Sequence, residues 1–223
     1  MARRYFHEFE STHDDLVHVS VKNHHHGSLN PMAHIQKAVT FEKASSGFMV
    51  ADPLTLYDCC PTSDGASCIV LAADHVAKKL TDTPVWVKGS GAASDRLALH
   101  DRPSITQLQA TQVAGKRALG MAGIGAADVD LAEVHDCFTI AEVFATEDLG
   151  FAKRGDGGKF AREGLGRLNQ GATTINASGG LKSKGHPLGS TGTGQVVEVF
   201  KQLRSEVAVS YTHLTLPTKL SVV

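Results

Sequence analysis

Apolar positions along this chain recur at two different spacings, and the changes of spacing mark out its elements. Ser11-Thr-His-Asp14 reads as a helix N-cap. The run behind it, Leu16-Val-His-Val-Ser-Val-Lys22, is apolar and β-branched and begins either a helix or a strand. Residues 23–31 read as a loop by composition, and 32–39 as a short helix. Pro53 stops any helix there, because proline disfavours the αR conformation in the residue before it. Pro61-Thr-Ser-Asp-Gly65 is a turn signal. Ala66-Ser-Cys-Ile-Val-Leu-Ala72 is a continuous apolar run of strand length, the pattern of a strand buried on both faces. Residues 74–80 are helical.

In the second half, 81–84 read as a linker and 85–91 as a strand running into a turn. Residues 93–105 lack periodicity and read as a surface excursion. Ser104 is placed to cap a helix over 106–119, with Leu108, Val113 and Leu119 on one face; Gly120 to Gly125 ends it. A short strand over 128–134 takes Val129, Leu131 and Val134 as its apolar side. It delivers His135-Asp-Cys-Phe138, followed by an amphipathic helix over 139–149 carrying Ile140, Val143, Phe144 and Leu149. Residues 150–171 read as a loop rich in glycine and charge. A last helix, starting near Gly192, places Val196, Val197, Phe200 and Leu203 on one face.

Composition narrows the class. The 223 residues are 42% hydrophobic and 20% charged, which suits a globular protein of one large or two small domains. A net charge of −1 implies no nucleic-acid partner. No apolar run approaches the ~18 residues that a membrane span needs. Met1 to Tyr5 is basic but has no apolar core behind it, so it is not a secretory signal. The four cysteines, Cys59, Cys60, Cys68 and Cys137, contain no Cys-x-x-Cys pair; a reducing, cytoplasmic setting without zinc or disulfides fits them. The run His24-His25-His26 reads as a polar loop, with a metal-binding tract as the alternative.

The candidate chemistry gathers in two places. Six glycines between Gly179 and Gly194 bend the backbone around something. Within that stretch Pro187 holds His186 on a constrained turn. The following helix aims its free N–H groups back at the turn, favouring an anion or oxyanion there. A glycine-rich packing turn with a buried structural histidine is the plainer alternative. The spacing fits neither a phosphate-binding P-loop nor a Gly-x-Ser-x-Gly elbow. The second place is the strand-to-helix junction with His135 and Cys137, where α/β proteins hold ligands. A thiol there can move a proton and an imidazole can polarise a carbonyl; a small buried cysteine beside a hydrogen-bonded histidine is the alternative.

Asn176-Ala-Ser-Gly-Gly-Leu181 followed by Lys184-Gly-His-Pro-Leu-Gly189 resembles the Gly-His-Pro loop of thiolases. Asp58-Cys-Cys-Pro-Thr-Ser-Asp-Gly-Ala66 resembles the block that closes the first half of those enzymes. Most thiolases carry an Asn-Glu-Ala-Phe box where this chain has His135-Asp-Cys-Phe138, which resembles the sterol-carrier-protein branch and its archaeal and bacterial relatives.

The resemblance implies an α/β thiolase fold, layered αβαβα. Residues 1–83 would be the end of the first domain and 84–206 a truncated second domain. Residues 207–223 depart from the family and resemble translated adaptor sequence. The implied reaction is acyl transfer through a thioester, either condensing acyl-CoA with acetyl-CoA or cleaving a 3-oxoacyl-CoA. His186 would activate the nucleophilic cysteine and share an oxyanion hole. His135 would complete that hole through a water, and Cys137 would be the acid/base. Ser178, Gly179 and Gly180 are the candidate contacts to the substrate. Coenzyme A thioesters would be substrates, with no resident cofactor. A homodimer or tetramer is implied, with further enzyme subunits as possible partners.

The family's nucleophile lies upstream of residue 1, so the chain alone is expected to be inactive, unstable and open at sheet edges and core faces. A non-catalytic CoA-binding or scaffolding subunit is one competing reading. A cysteine hydrolase using Cys60 is another.

Overall fold

The computed structural model describes residues 1–207. The suspect tail, apart from its first residue, lies outside them. The architecture is mixed α/β. α1 (Ala2–Phe9), α2 (His13–Ser28) and α3 (Phe41–Ser45) open it. β1 (Met49–Ala51) and β2 (Leu54–Thr55) pair antiparallel, and α4 (Asp74–Leu80) and α5 (Gln109–Ala122) follow. β3 (Leu131–Ala132), α6 (Thr139–Asp148), α7 (Gly157–Arg162), β4 (Thr174–Ile175), α8 (Gly180–Ser183) and α9 (Thr191–Leu203) complete it. β3 and β4 run parallel, Leu131 opposite Thr174 and Ala132 opposite Ile175.

α2 is the element around which the rest packs. It begins where Ser11-Thr-His-Asp14 predicts a cap: Thr12 is the N-cap, and its N–H donates to the Asp15 carboxylate at 3.2 Å. The ambiguous run 16–22 is helix. So is most of the expected loop 23–31, because α2 continues to Ser28. Composition misleads here because the polar residues of this turn do not face water. Lys22, Asn23, His24 and His26 are buried; Lys22, Asn23 and His26 bond to distant Ile175, Asp136 and Asn176. His24-His25-His26 is therefore helix rather than a polar loop; among the described residues no group of three metal-ligating side chains assembles.

The main core joins α1, α2, α6 and α7 through Tyr5, Leu16, Val19, Ile140, Val143, Phe144 and Ala161. Arg162 reaches back to Asp15 at 2.7 Å. α7 falls inside the expected loop 150–171. Its glycine-rich start hides it from sequence patterns, and it is anchored by a tertiary bond, Gly157 N–H to Glu147 Oε1 at 2.8 Å.

Three expected elements differ. Residues 66–72 form no strand. Among the described residues they form no strand pairing, and Val70 and Leu71 are 84% and 75% exposed. A strand needs a partner for its N–H and C=O groups, whatever its composition. Residues 85–91 are not strand but lie along α5; a Cβ at Gly89 or Gly91 would stand 2.1 Å from the Ala118 or Ala114 carbonyl oxygen. Accordingly α5 buries Gly115 and Ala118 rather than the expected larger face. Residues 32–39 are not helical. His34 and Ile35 donate to the carbonyls of Lys184 and Ser183 at 3.0 and 2.9 Å, which lays this segment beside the Gly-His-Pro turn.

The two candidate helices at the site are close to expectation. α6 buries Ile140, Val143 and Phe144. α9 begins at Thr191, one residue before the expected start, and buries Val199, Glu198 and Gln202, with the expected face half-buried.

Candidate active site

Two boxes far apart in sequence are brought together by a third segment. Residues 59–62 run between them, forming an antiparallel bridge from Cys59 to Phe138 and a parallel bridge from Thr62 to His186. The Cys60 N–H donates to the Cys137 carbonyl at 3.0 Å. The rings of His135 and His186 then meet edge to face, with centroids 5.0 Å apart and planes at 85°. The block that sequence motifs marked only as a domain end is thus the middle strip of the site.

His186 sits just after Gly185, whose φ of 109° lies in the region glycine favours. A Cβ at Gly185 would also stand 2.6 Å from Ser63 Oγ, so the turn presses on the middle strip. His186 Nδ1 lies 2.8 Å from Thr191 Oγ1. That hydroxyl donates its one proton to the Pro187 carbonyl at 3.0 Å. With its proton on that carbonyl the hydroxyl accepts from His186, the arrangement in which Nδ1 carries the hydrogen and Nε2 keeps its lone pair. Burial lowers the His186 pKa. The surrounding protein, and then His186 itself, lower that of His135, whose side chain nevertheless reaches solvent. Both imidazoles are thus biased towards neutral bases.

Cys137 is half-buried. Burial first, then the neighbouring Cys60 and Asp136, raise its pKa, so it is a thiol that holds a proton at neutral pH. Cys60 is also raised by burial, the reverse of what an activated hydrolase nucleophile needs.

Asp136, between the two box residues, is fully buried and ties the boxes together. Its carboxylate accepts from Leu181 N at 2.7 Å, Lys182 N at 3.3 Å and Asn23 Nδ2 at 2.8 Å. Burial raises its pKa to about 6. At Gly180, φ is 60° and a Cβ would meet the Asp136 carboxylate at 2.4 Å, so only glycine lets the loop approach this close. Ser178, Gly179 and Gly180, the candidate substrate contacts, are all buried. Ser178 N–H donates to Glu133 at 2.9 Å, and Gly179 packs on Gly27 of α2. The contacts they make here are internal and hold the loop in place.

Sequence reasoning missed the support beneath. Lys22 pairs with Glu142 at 3.0 Å. Asn23 and Asn176 donate to the same Glu142 oxygen at 2.7 and 2.8 Å. Asn176 also accepts from Val134 N at 2.8 Å, just ahead of the first box. Asp58 accepts from His13 and from Thr139, both at 2.7 Å, locking the middle strip to the start of α6. No local pattern marks Lys22, Asn23 or Glu142, and the motifs that contain Asn176 and Asp58 do not reveal these bonds, because the partners that tie the site together lie far away in sequence. Two cavities flank the histidines. One of about 310 Å³ touches His135 between α5, α6 and α9. The other, of about 740 Å³, borders Gly185, Pro187 and residues 63–67.

Two motif-bearing turns are thus held by a shared buried carboxylate, with facing imidazoles and a nearby thiol. The sequence matches the family described as Thiolase C-terminal domain-like over residues 91–215, and the chain belongs to that family. It is 48% identical over 206 residues to an acetyl-CoA acetyltransferase of Methanothermobacter thermautotrophicus, covering 92% of this chain and 54% of that protein. It is 33% identical over 209 residues to sterol carrier protein 2 of Bos taurus, covering 92% of this chain and 38% of that protein.

Among solved structures it is similar to the Ltp2-ChsH2(DUF35) aldolase, with TM-score 0.82 and 26% identity, covering 92% of this chain and 54% of that one. The expected thiolase fold is also seen in an SCP2-thiolase like protein from Mycobacterium smegmatis, with TM-score 0.66 and 19% identity, covering 90% and 43%. The chain spans about half the length of the acetyl-CoA acetyltransferases it matches.

Proposed function

We propose that this chain supplies the acid/base and oxyanion-binding part of a thiolase site acting on coenzyme A thioesters. The observation that carries this reading is the placement of His186, with Nδ1 against Thr191 Oγ1 and its ring beside His135; with the hydrogen on Nδ1, Nε2 is left bare. A bare Nε2 can take the proton from a thiol nucleophile and afterwards, as imidazolium, donate to a thioester oxygen. His135 completes the oxyanion hole. Cys137, protonated at rest, exchanges the α-proton of the second acyl-CoA. The acyl-carrying cysteine comes from a segment beyond this chain, and the chain alone is inactive. Ser178 to Gly180 support binding by holding the Gly-His-Pro turn.

The direction is condensation of acetyl-CoA with an acyl-CoA, or thiolysis of a 3-oxoacyl-CoA. The working form is a cytoplasmic homo-oligomer. An additional subunit is a second possibility for the assembly, since one structural relative is named as a complex with ChsH2(DUF35).

The test joins residues 1–207 to the upstream half of the Methanothermobacter relative and assays acetoacetyl-CoA thiolysis. Activity that falls at least ~100-fold in His186→Ala, the scale of losing a general base, supports the reading. An active chimera indifferent to both His186→Ala and Cys137→Ala overturns the assigned roles. A folded chimera that binds acetyl-CoA without turnover favours the non-catalytic subunit instead.

A further inference from the structure

We propose that Cys60 and Cys137 are a redox pair, joined by a reversible cross-strand disulfide when a peroxide is present. The bridge between Cys59 and Phe138 is antiparallel, and the Cys60 N–H donates to the Cys137 carbonyl at 3.0 Å. Cys60 and Cys137 stand one step along from this isolated bridge, joined by that single backbone hydrogen bond. Where an antiparallel pair is hydrogen-bonded, opposed side chains share a face and the Cα atoms stand about 5.5 Å apart. That lies inside the ~4.4–6.8 Å window in which a disulfide closes without moving the backbone.

The other two thiols are placed differently. Neighbouring side chains on an extended strand point to opposite faces, so Cys59 is turned away from Cys137. Its thiol instead reaches the Thr55 carbonyl at 3.5 Å. Cys68 is exposed, in the segment 66–72. Cys60 and Cys137 are both half-buried, partly open to a small oxidant. The Lys182 ammonium, bonded to the Cys59 carbonyl, favours the Cys60 thiolate against the burial that raises its pKa.

The chemistry balances with hydrogen peroxide as oxidant. The thiolate of one cysteine attacks a peroxide oxygen. The O–O bond breaks, hydroxide leaves and takes a proton to become water, and a sulfenic acid remains. The second thiol, as thiolate, attacks that sulfur. The S–O bond breaks, a second water leaves, and the S–S bond forms. Each sulfur is oxidised by one electron and the peroxide is reduced by two. A dithiol reductant reverses the closure. The consequence for catalysis rests on the role proposed above for Cys137: the disulfide removes the proton that this thiol would exchange.

The experiment uses the full chain and reads the pairing without any activity, so its failure is distinct from failure of the thiolase reading. The protein is treated with hydrogen peroxide, free thiols are blocked with iodoacetamide, and non-reduced peptides are mapped by mass spectrometry. Cys60 and Cys137 are expected to lose alkylation together, Cys68 to keep it, and dithiothreitol to restore both. Because Cys59, Cys60 and Cys68 share one tryptic peptide, C59S and C60S variants assign the bond. C59S retains the link to Cys137 and C60S loses it. In 6 M urea, used about at the strength that unfolds small domains, the preference for Cys60 over Cys59 and Cys68 disappears. A native map showing Cys137 unlinked, joined to Cys59 or Cys68, or paired without preference overturns the proposal.

Discussion

Lys22 Nζ lies 3.0 Å from Glu142 Oε1, and both side chains are almost completely buried, at 4% and 3% exposure. The pair joins α2 to α6 beneath the site, and each partner also serves Asn23. Removing one member of such a pair leaves an uncompensated buried charge, which costs about 3–5 kcal/mol. Lys22→Met is therefore expected to destabilise the chain by about that much in urea titrations. The double variant with Glu142→Gln is expected to cost less than the two single changes added together. Strict additivity would show that the two charges are not coupled.

The tautomer of His186 is open to direct measurement. In the native protein, imidazole ¹⁵N shifts are expected to show Nδ1 protonated and Nε2 bare. Thr191→Val keeps the shape at that position but removes the acceptor, so the two tautomers should mix. The variant should also lose about 1–2 kcal/mol of stability with the lost hydrogen bonds. An unchanged tautomer in the variant would mean that Thr191 does not set it.

His26 predicts a pH dependence. Its Nδ1 donates to the Asn176 carbonyl at 2.9 Å, and its Nε2 accepts from Leu168 N at 3.2 Å. That neutral form is used from both sides, and burial lowers its pKa to about 3. The unfolded chain binds the proton near pH 6.5 and the folded chain only near 3. Stability from this residue is therefore complete above about pH 6.5 and is lost as pH falls, by up to ~1.4 kcal/mol per pH unit. His24, lowered by burial to about 4, acts in the same direction. Asp136, raised to about 6, acts oppositely: its contribution is complete below its unfolded value near 4 and is lost as pH rises through about 6. The informative measurement is a difference. His26→Gln should flatten the slope of unfolding free energy between pH 6.5 and 4 relative to the parent chain, and an identical slope would count against the assignment.

Val70, Leu71 and Leu97 stand out into solvent, the last at 96% exposure. Apolar surface of this kind drives association. Replacing Val70 and Leu71 together by lysine is expected to lower light scattering and hydrophobic-dye binding at equal concentration, with no loss of helical circular dichroism. Equal scattering would place the sticky surface elsewhere.

What could be read from the chain beforehand was local. The cap at Thr12, the helix behind His135-Asp-Cys-Phe138, the glycine-bent turn at His186 and the helix after it all follow from neighbours in sequence. Such features depend on backbone conformations that a few adjacent residues impose. The histidine run misleads for the same reason: three polar residues in a row resemble a loop until distant partners are known.

Only the tertiary structure put residues 59–62 between the two boxes, buried Asp136 against Leu181 and Lys182, and turned polar Asn23 inward. Those arrangements satisfy donors and acceptors across long stretches of chain, and no short-range pattern records which partner a buried polar group will find. The apolar run 66–72 is the converse case. Its composition is that of a strand, but strand structure is a property of a pair, and among the described residues no strand pairs with it.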